Sequence, residues 1–175
     1  MDFIAGTKNY AAEVRTLRRW LHQHPEPGFS EHKTAEFIAE FLTANDIPFR
    51  RTGETGLIAE LQTGRTGSTV ALRADIDALP IVEENEVSYK SQHQGFMHAC
   101  GHDSHTAILM AAAKFIKDNL DQYNGKIRFL FQPAEESPPG GAISMIADNA
   151  LDGVDFVYGL HCLVVLPPSV IGLRD

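Results

Sequence analysis

The chain reads as an α/β fold: a mixed, largely parallel sheet flanked by helices. Three observations predict it. Short apolar runs of strand character alternate with segments of helical periodicity. Gly, Pro and Asn-Asp clusters stand at the joints between them. Three of the expected strands are each followed at once by acids or a histidine, as where ligand sites gather at the carboxyl ends of strands.

Taken in order, Tyr10, Val14, Leu17 and Leu21 recur at steps of four, three and four, one stripe of an amphipathic helix from about Thr7 to His24. Pro25 and Pro27-Gly28 stop it. Ser30 is placed to cap a second helix, with Ile38 and Leu42 on its inner side and Asn45-Asp46 near its end. Gly56 to Leu61 and Thr69 to Ala74 read as strands joined by a polar turn, and Glu83 to Gly95 as loop. Ser104 to Leu120 returns to helical spacing through Leu109, Ala112 and Ile116. A strand follows over Lys126 to Phe131, then a tight Pro138-Pro139-Gly140-Gly141 loop and a short helix over Ala142 to Asn149. Val154 to Leu160 reads as a strand leading into His161, and Val170 to Leu173 as one more.

Composition narrows the function classes. At 175 residues, with 43% hydrophobic and 22% charged residues, the chain has the make-up of one soluble domain large enough to bury a core. A net charge of -8 argues against nucleic acid, whose phosphates need clustered Lys and Arg. Arg15, Arg18 and Arg19 form the one local basic cluster and read as the solvated face of the first helix. No apolar run approaches the ~20 residues of a membrane span, and Met1-Asp2-Phe3-Ile4 does not open a signal peptide. The expected setting is cytoplasmic, where a disulfide between Cys100 and Cys162 is not expected.

The chemistry concentrates in Met97 to His105, which sets a thiol, three imidazoles and a carboxylate just before a helix. Thiolate, imidazole and carboxylate are the ligands of borderline transition metals. Cys100 and His102, two apart, can aim at one centre. Alone, such a pair reads as a buried cysteine beside a solvated histidine, and a rival makes Cys100 a nucleophile with a histidine base. That rival leaves Glu135, Glu136 and His161 without work. Adjacent glutamates are commonly a solvated turn. Here they follow an apolar strand and Pro133, and their side chains diverge, so one can bind metal while the other takes a proton from an activated water. Asp75 and Asp77 close the strand of Thr69 to Ala74, and His161 that of Val154 to Leu160. Cys162 reads as packing, His22 and His24 as helix-end residues, His32 and His93 as surface.

Four ordered motifs carry a resemblance: Arg73-Ala74-Asp75-Ile76-Asp77-Ala78-Leu79-Pro80, His98-Ala99-Cys100-Gly101-His102-Asp103-x-His105, Gln132-Pro133-Ala134-Glu135-Glu136 and Gly159-Leu160-His161. With His22 to Glu31 matching as well, the chain resembles the aminoacylase/carboxypeptidase group of di-metal amidohydrolases over nearly its whole length. This is the branch of hippurate hydrolases, auxin-conjugate hydrolases and N-acetyl-diaminopimelate deacetylases. The resemblance implies a zinc-exopeptidase-like fold and hydrolysis of the amide of N-acyl amino acids. Two divalent ions, Zn, Mn, Co or Ni, would be bridged by Cys100, one completed by His102 and His161, the other bound by Glu136. Glu135 would be the general base, later protonating the leaving amine. Asp77 would orient a ligand imidazole, and Asp103 and His105 would be structural supports.

The departure is length. Similar proteins insert a lid or dimerisation domain after the region ending here and then resume the catalytic domain with a further ligand histidine. On that comparison, residues 1–175 are the N-terminal portion of a catalytic, metal-binding domain. A homo-oligomer would form through the inserted domain, and the sheet should show an open edge or apolar face. The isolated chain is then expected to be weak or inactive. The alternative is a non-enzymatic remnant that binds metal, or one half of a split enzyme.

Overall fold

The computed structural model describes residues 3–163, 165–167 and 170–172. Two helices open the chain, α1 (Phe3–Lys8) and α2 (Ala11–Gln23), followed by α3 (His32–Ala44). Strands β1 (Phe49–Thr52), β2 (Gly56–Gln62) and β3 (Thr69–Asp75) precede the long helix α4 (His102–Asp118), and β4 (Lys126–Gln132), α5 (Gly141–Ala147) and β5 (Phe156–Gly159) complete the order. The sheet runs β1-β2-β4-β3-β5. It is mixed: β1 with β2 and β2 with β4 are antiparallel, whereas β3 lies parallel to both β4 and β5.

The two-residue alternation of the strands builds two cores. Leu57, Ala59 and Leu61 on β2 and Ile127, Phe129 and Phe131 on β4 meet Leu17, Leu21, Ile38, Leu42, Met110 and Ile116 from α2, α3 and α4. The opposite face is thinner, with Ile58, Ala71 and Leu130 covered by Met145 of α5, Ala150 and Val154. No helix of the described residues is long and apolar enough to cross a membrane.

Several expectations change in detail. The helix expected over Thr7 to His24 is two, because the chain turns at Asn9 and Tyr10, although Leu17 and Leu21 still bury their stripe. Ser30 does not cap α3. Glu26 does the work from outside the helix, its carboxylate accepting the amide N–H groups of Lys33 and Thr34 at 3.2 and 2.9 Å and the Thr34 hydroxyl at 2.9 Å. β1 has no counterpart among the expected strands. Its sequence, Phe-Arg-Arg-Thr, lacks an apolar alternation, and pairing with β2 alone defines it. The expected strand over Val170 to Leu173 does not form at 170–172, where Val170 and Ile171 are exposed, and Leu173 lies outside the described residues. The open apolar edge is β5: every residue is exposed, Phe156, Val157 and Tyr158 by more than half.

This topology positions the site. Because β3, β4 and β5 are parallel, with Asp75 opposite Gln132 and Arg73 opposite Gly159, their carboxyl ends open on the same edge. Asp77, Glu135, Glu136 and His161 all leave from that edge, and α4 starts beside it.

Candidate metal centre

The site is built on His102, the first residue of α4. Gly101, just before it, takes φ of 86°, a left-handed conformation strained for any other residue, and so turns the chain from the Cys100 loop into the helix. His102 is buried at 1% exposure. Its Nδ1 lies 3.0 Å from Asp77 Oδ1 and 2.9 Å from the Asp77 carbonyl. Both are acceptors, so the proton sits on Nδ1 and the Nε2 lone pair is left free. That Nε2 is buried with no hydrogen-bond partner among the described residues. Around it stand Asp75 Oδ2 at 3.6 Å and Glu135 Oε2 and Glu136 Oε1 at 3.9 Å each.

A buried lone pair facing three carboxylates and a thiol is poorly solvated unless a cation joins them. Ligand atoms of Cys100, His102 and Glu136 lie within 4.8 Å of one another, and so do those of Asp75, His102, His105 and His161. His161 Nε2 is 3.5 Å from Cys100 Sγ. The residue types therefore fit a divalent transition metal. All four expected ligands, Cys100, His102, Glu136 and His161, converge here together with Asp77 and Glu135.

The crowded carboxylates also set the proton affinities of their neighbours, and a cation at this place would compete with those protons. Burial first, then the neighbouring Glu136, Asp75 and Glu135, push the Cys100 thiol up to about 12. A thiol in that field holds its proton, which nucleophile and metal ligand alike must lose, so a neighbouring cation would be needed to draw out the thiolate. Burial opposes ionisation of Asp77, but its bonds to His102 and to the Glu136 amide hold its carboxyl below the usual range. Burial also disfavours a charge on His102, but Asp77 and Asp75 outweigh it and raise its proton affinity.

The turn that carries the glutamates is held from behind. Ala134, fully buried, has φ of 49°, and its amide N–H donates to Glu31 Oε1 at 2.7 Å, while Thr55 donates to Glu31 Oε2 at 2.6 Å. A side chain at Gly28 would meet Ser137 Oγ at 2.6 Å and Ala134 Cα at 3.1 Å, so only glycine lets this approach happen. Asp77 Oδ2 accepts the Glu136 amide N–H at 2.9 Å. One aspartate thus ties His102 to the glutamate turn. Sequence reasoning missed Glu31, whose one trace was its place in the N-terminal motif.

It also misplaced two basic residues. His22 is not a free helix end: it is 3% exposed, with Nδ1 2.7 Å from Asp103 and Nε2 3.0 Å from Glu83. Arg18 does not point to solvent, because its Nε reaches the buried Asp103 at 2.7 Å. Both partners lie far along the chain, so no local pattern announces them. Cys162, expected to pack inside, is exposed. His93 is half-buried, its Nδ1–H donating to the Pro25 carbonyl at 2.8 Å.

Comparison with known proteins gives this geometry a setting. Residues 71–171 match peptidase family M20/M25/M40. N-acetyl-L-cysteine deacetylase of Bacillus subtilis is 48% identical over 159 residues, covering 90% of this chain and 38% of the relative. N-acyl-L-amino acid amidohydrolase of Geobacillus stearothermophilus is 46% identical over 171 residues, covering 95% of this chain and 46% of the relative. The crystal structure of the Bacillus subtilis YXEP protein, described as a dinuclear metal binding peptidase from the M20 family, superposes with a TM-score of 0.91 at 38% identity. That match covers 96% of this chain and 48% of the other. The chain spans less than half the length of these relatives. It belongs to peptidase family M20/M25/M40.

Proposed function

We propose that this member of the family supplies the metal-binding half of an amidohydrolase that cleaves the amide of N-acyl amino acids. The observation that carries the reading is His102: a buried imidazole locked through Nδ1 to Asp77, its Nε2 without a hydrogen-bond partner among the described residues and facing Cys100 and Glu136. The substrate class is supported by two relatives named for N-acetyl-L-cysteine and N-acyl-L-amino acids.

In this reading Cys100, His102, Glu136 and His161 would hold the divalent ions, Zn, Mn, Co or Ni. When bound, the ions supply Lewis acidity, which favours loss of a proton from water and polarises the amide carbonyl. The remaining work falls to this chain's side chains. Asp77 keeps the proton on His102 Nδ1 and so keeps Nε2 available as a ligand. Glu135 takes the proton from the water whose oxygen attacks the carbonyl carbon, and delivers it to the amine nitrogen as the C–N bond breaks. Its place beside Glu136, 3.9 Å from His102 Nε2, suits that role. The exposed apolar flank at β5 favours a second element of the reading: the chain needs a complementary half for brisk turnover.

Metal content and hydrolysis test this together. Glu135→Gln should retain the metal measured by equilibrium dialysis yet abolish cleavage of N-acetyl and N-benzoyl amino acids, assayed with the complementary half supplied. Cys100→Ser should lose the metal itself, and a chelator should silence the unmodified protein. Near-normal hydrolysis by Glu135→Gln would remove it as the base, and indifference to chelators would remove the metal reading.

A further inference from the structure

The segment bearing His161 leaves the edge strand into the open, since β5, Leu160, His161 and Cys162 are all exposed. Yet its imidazole stands at a defined place, Nε2 3.5 Å from Cys100 Sγ and its ring edge-on to that of His105 with centroids 4.6 Å apart. The anchor is His105. The Cys162 amide N–H donates to His105 Nε2 at 2.8 Å. An Nε2 that accepts leaves the ring proton on Nδ1, and Nδ1 lies 2.6 Å from Asp75 Oδ1. One tautomer satisfies both bonds.

Asp75 is suited to hold that tautomer. It is fully buried at the end of β3, and Arg73 Nη1 donates to its other oxygen at 2.7 Å. Thr106 Oγ1 donates to the Asp75 carbonyl at 2.9 Å, fastening the first turn of α4 to the end of the strand. His105 itself is buried, one helical turn beyond His102. With Nε2 occupied by the Cys162 amide and Nδ1 by Asp75, the ring has no lone pair left for a metal, although it sits among potential ligands.

We propose that His105, held by Asp75, is a positioning residue that docks the exposed 161–162 segment and so decides whether His161 meets Cys100 and His102 on one ion. The proposal rests on the reading of those three residues as metal ligands. Its physical logic is that of an outer-shell partner, whose loss commonly costs about 10–100-fold in metal affinity.

The test uses cobalt(II) as the probe on the full chain, read by its thiolate charge-transfer and d–d absorption. His105→Ala should weaken cobalt binding by about 10–100-fold and convert the spectrum to that of His161→Ala. Adding His105→Ala to His161→Ala should cost nothing more, because both remove the same ligand. His105→Gln, whose amide oxygen can still accept the Cys162 N–H, should recover part of the loss. In the unmodified chain the Cys162 amide should exchange with solvent more slowly than an unstructured amide, although its residue is exposed. Wild-type affinity and spectrum in His105→Ala would overturn the proposal, and so would an unprotected Cys162 amide, a measurement that needs no variant to fold. Failure of the unmodified chain to bind cobalt would instead strike the metal reading, leaving the exchange measurement to judge the docking.

Discussion

The two flanks of the candidate metal centre are built in opposite ways. On one side, Asp75, Asp77, His102, Asp103 and His105 are all buried, and each carboxylate meets an imidazole, an arginine or a backbone N–H. On the other, His161 follows a strand whose every residue is exposed, with Leu160 at 66% and Leu163 at 57% exposure nearby. The first flank sits between β3 and α4, elements packed into the larger core. The second hangs on an edge strand bonded to β3 alone among the described residues. A ligand set fixes geometry only as firmly as its least anchored member. The buried flank can therefore be preformed, while the exposed one depends on the few contacts that reach it.

The deepest part of the buried frame gives the largest expected effect. Phe129 is fully buried at the middle of β4, opposite Ala59 on β2 and Leu72 on β3. Phe129→Ala removes most of a ring from a close-packed core and should cost about 3–5 kcal/mol of stability in urea unfolding. A loss under about 1 kcal/mol would show that the frame collapses around the cavity, and the contrast with β5 would weaken.

The clasp behind α4 should give a slightly smaller effect with a distinctive pH dependence. His22 faces Asp103, Glu83 and Arg18, with the Tyr89 ring edge-on. The hydrogen bond to Asp103 is the main cause of its raised proton affinity; burial opposes, and Glu83 adds to it. A histidine raised above its unfolded value of about 6.5 stabilises fully below that pH, and the gain fades as pH rises through the folded value. Asp103 and Glu83 are both held below the usual carboxylate range despite burial, so they stay ionised through that window and lose their contribution only in stronger acid. His22→Gln should therefore cost about 3 kcal/mol near pH 6, because it breaks a buried pair. The gap to the unmodified chain should narrow steadily at alkaline pH. A gap independent of pH between 5 and 9 would mean that folding leaves the proton affinity of His22 unchanged.

How far the sequence disclosed this molecule follows from which interactions are local. Strands β2, β3 and β4 carry their own apolar alternation, and α4 its own helical spacing, so they stand out within a few residues of their ends. β1 does not, because two of its four residues are arginines and pairing alone makes it a strand. The candidate ligands stand out because thiol, imidazole and adjacent carboxylates are rare in combination. Their supports do not. Glu31 reaches Ala134 across 103 residues, His22 reaches Asp103 across 81, and Cys162 reaches His105 across 57. Nothing in one segment records the other end of such a bond. His22 and Arg18 were misplaced for the same reason: a polar side chain on a helix reads as solvated unless its distant partner is known.

The smallest expected effect belongs to the exposed flank, and its smallness is the point. Val157 lies in β5 opposite Ala71, yet is 52% exposed. Val157→Lys removes little buried area, so stability should move by no more than about 0.5 kcal/mol. Cobalt affinity should hold as well, because the anchor of the His161 segment is His105 rather than the β5 side chains. What should change is behaviour between molecules. An edge strand with Phe156, Val157 and Tyr158 in the open offers apolar surface and, among the described residues, backbone groups unpaired on one side, and a lysine there opposes pairing with another chain. Light scattering across a concentration series should show less self-association for Val157→Lys than for the unmodified chain. A cost above about 2 kcal/mol would make β5 part of the packed frame, and the two flanks would then be one structure rather than two.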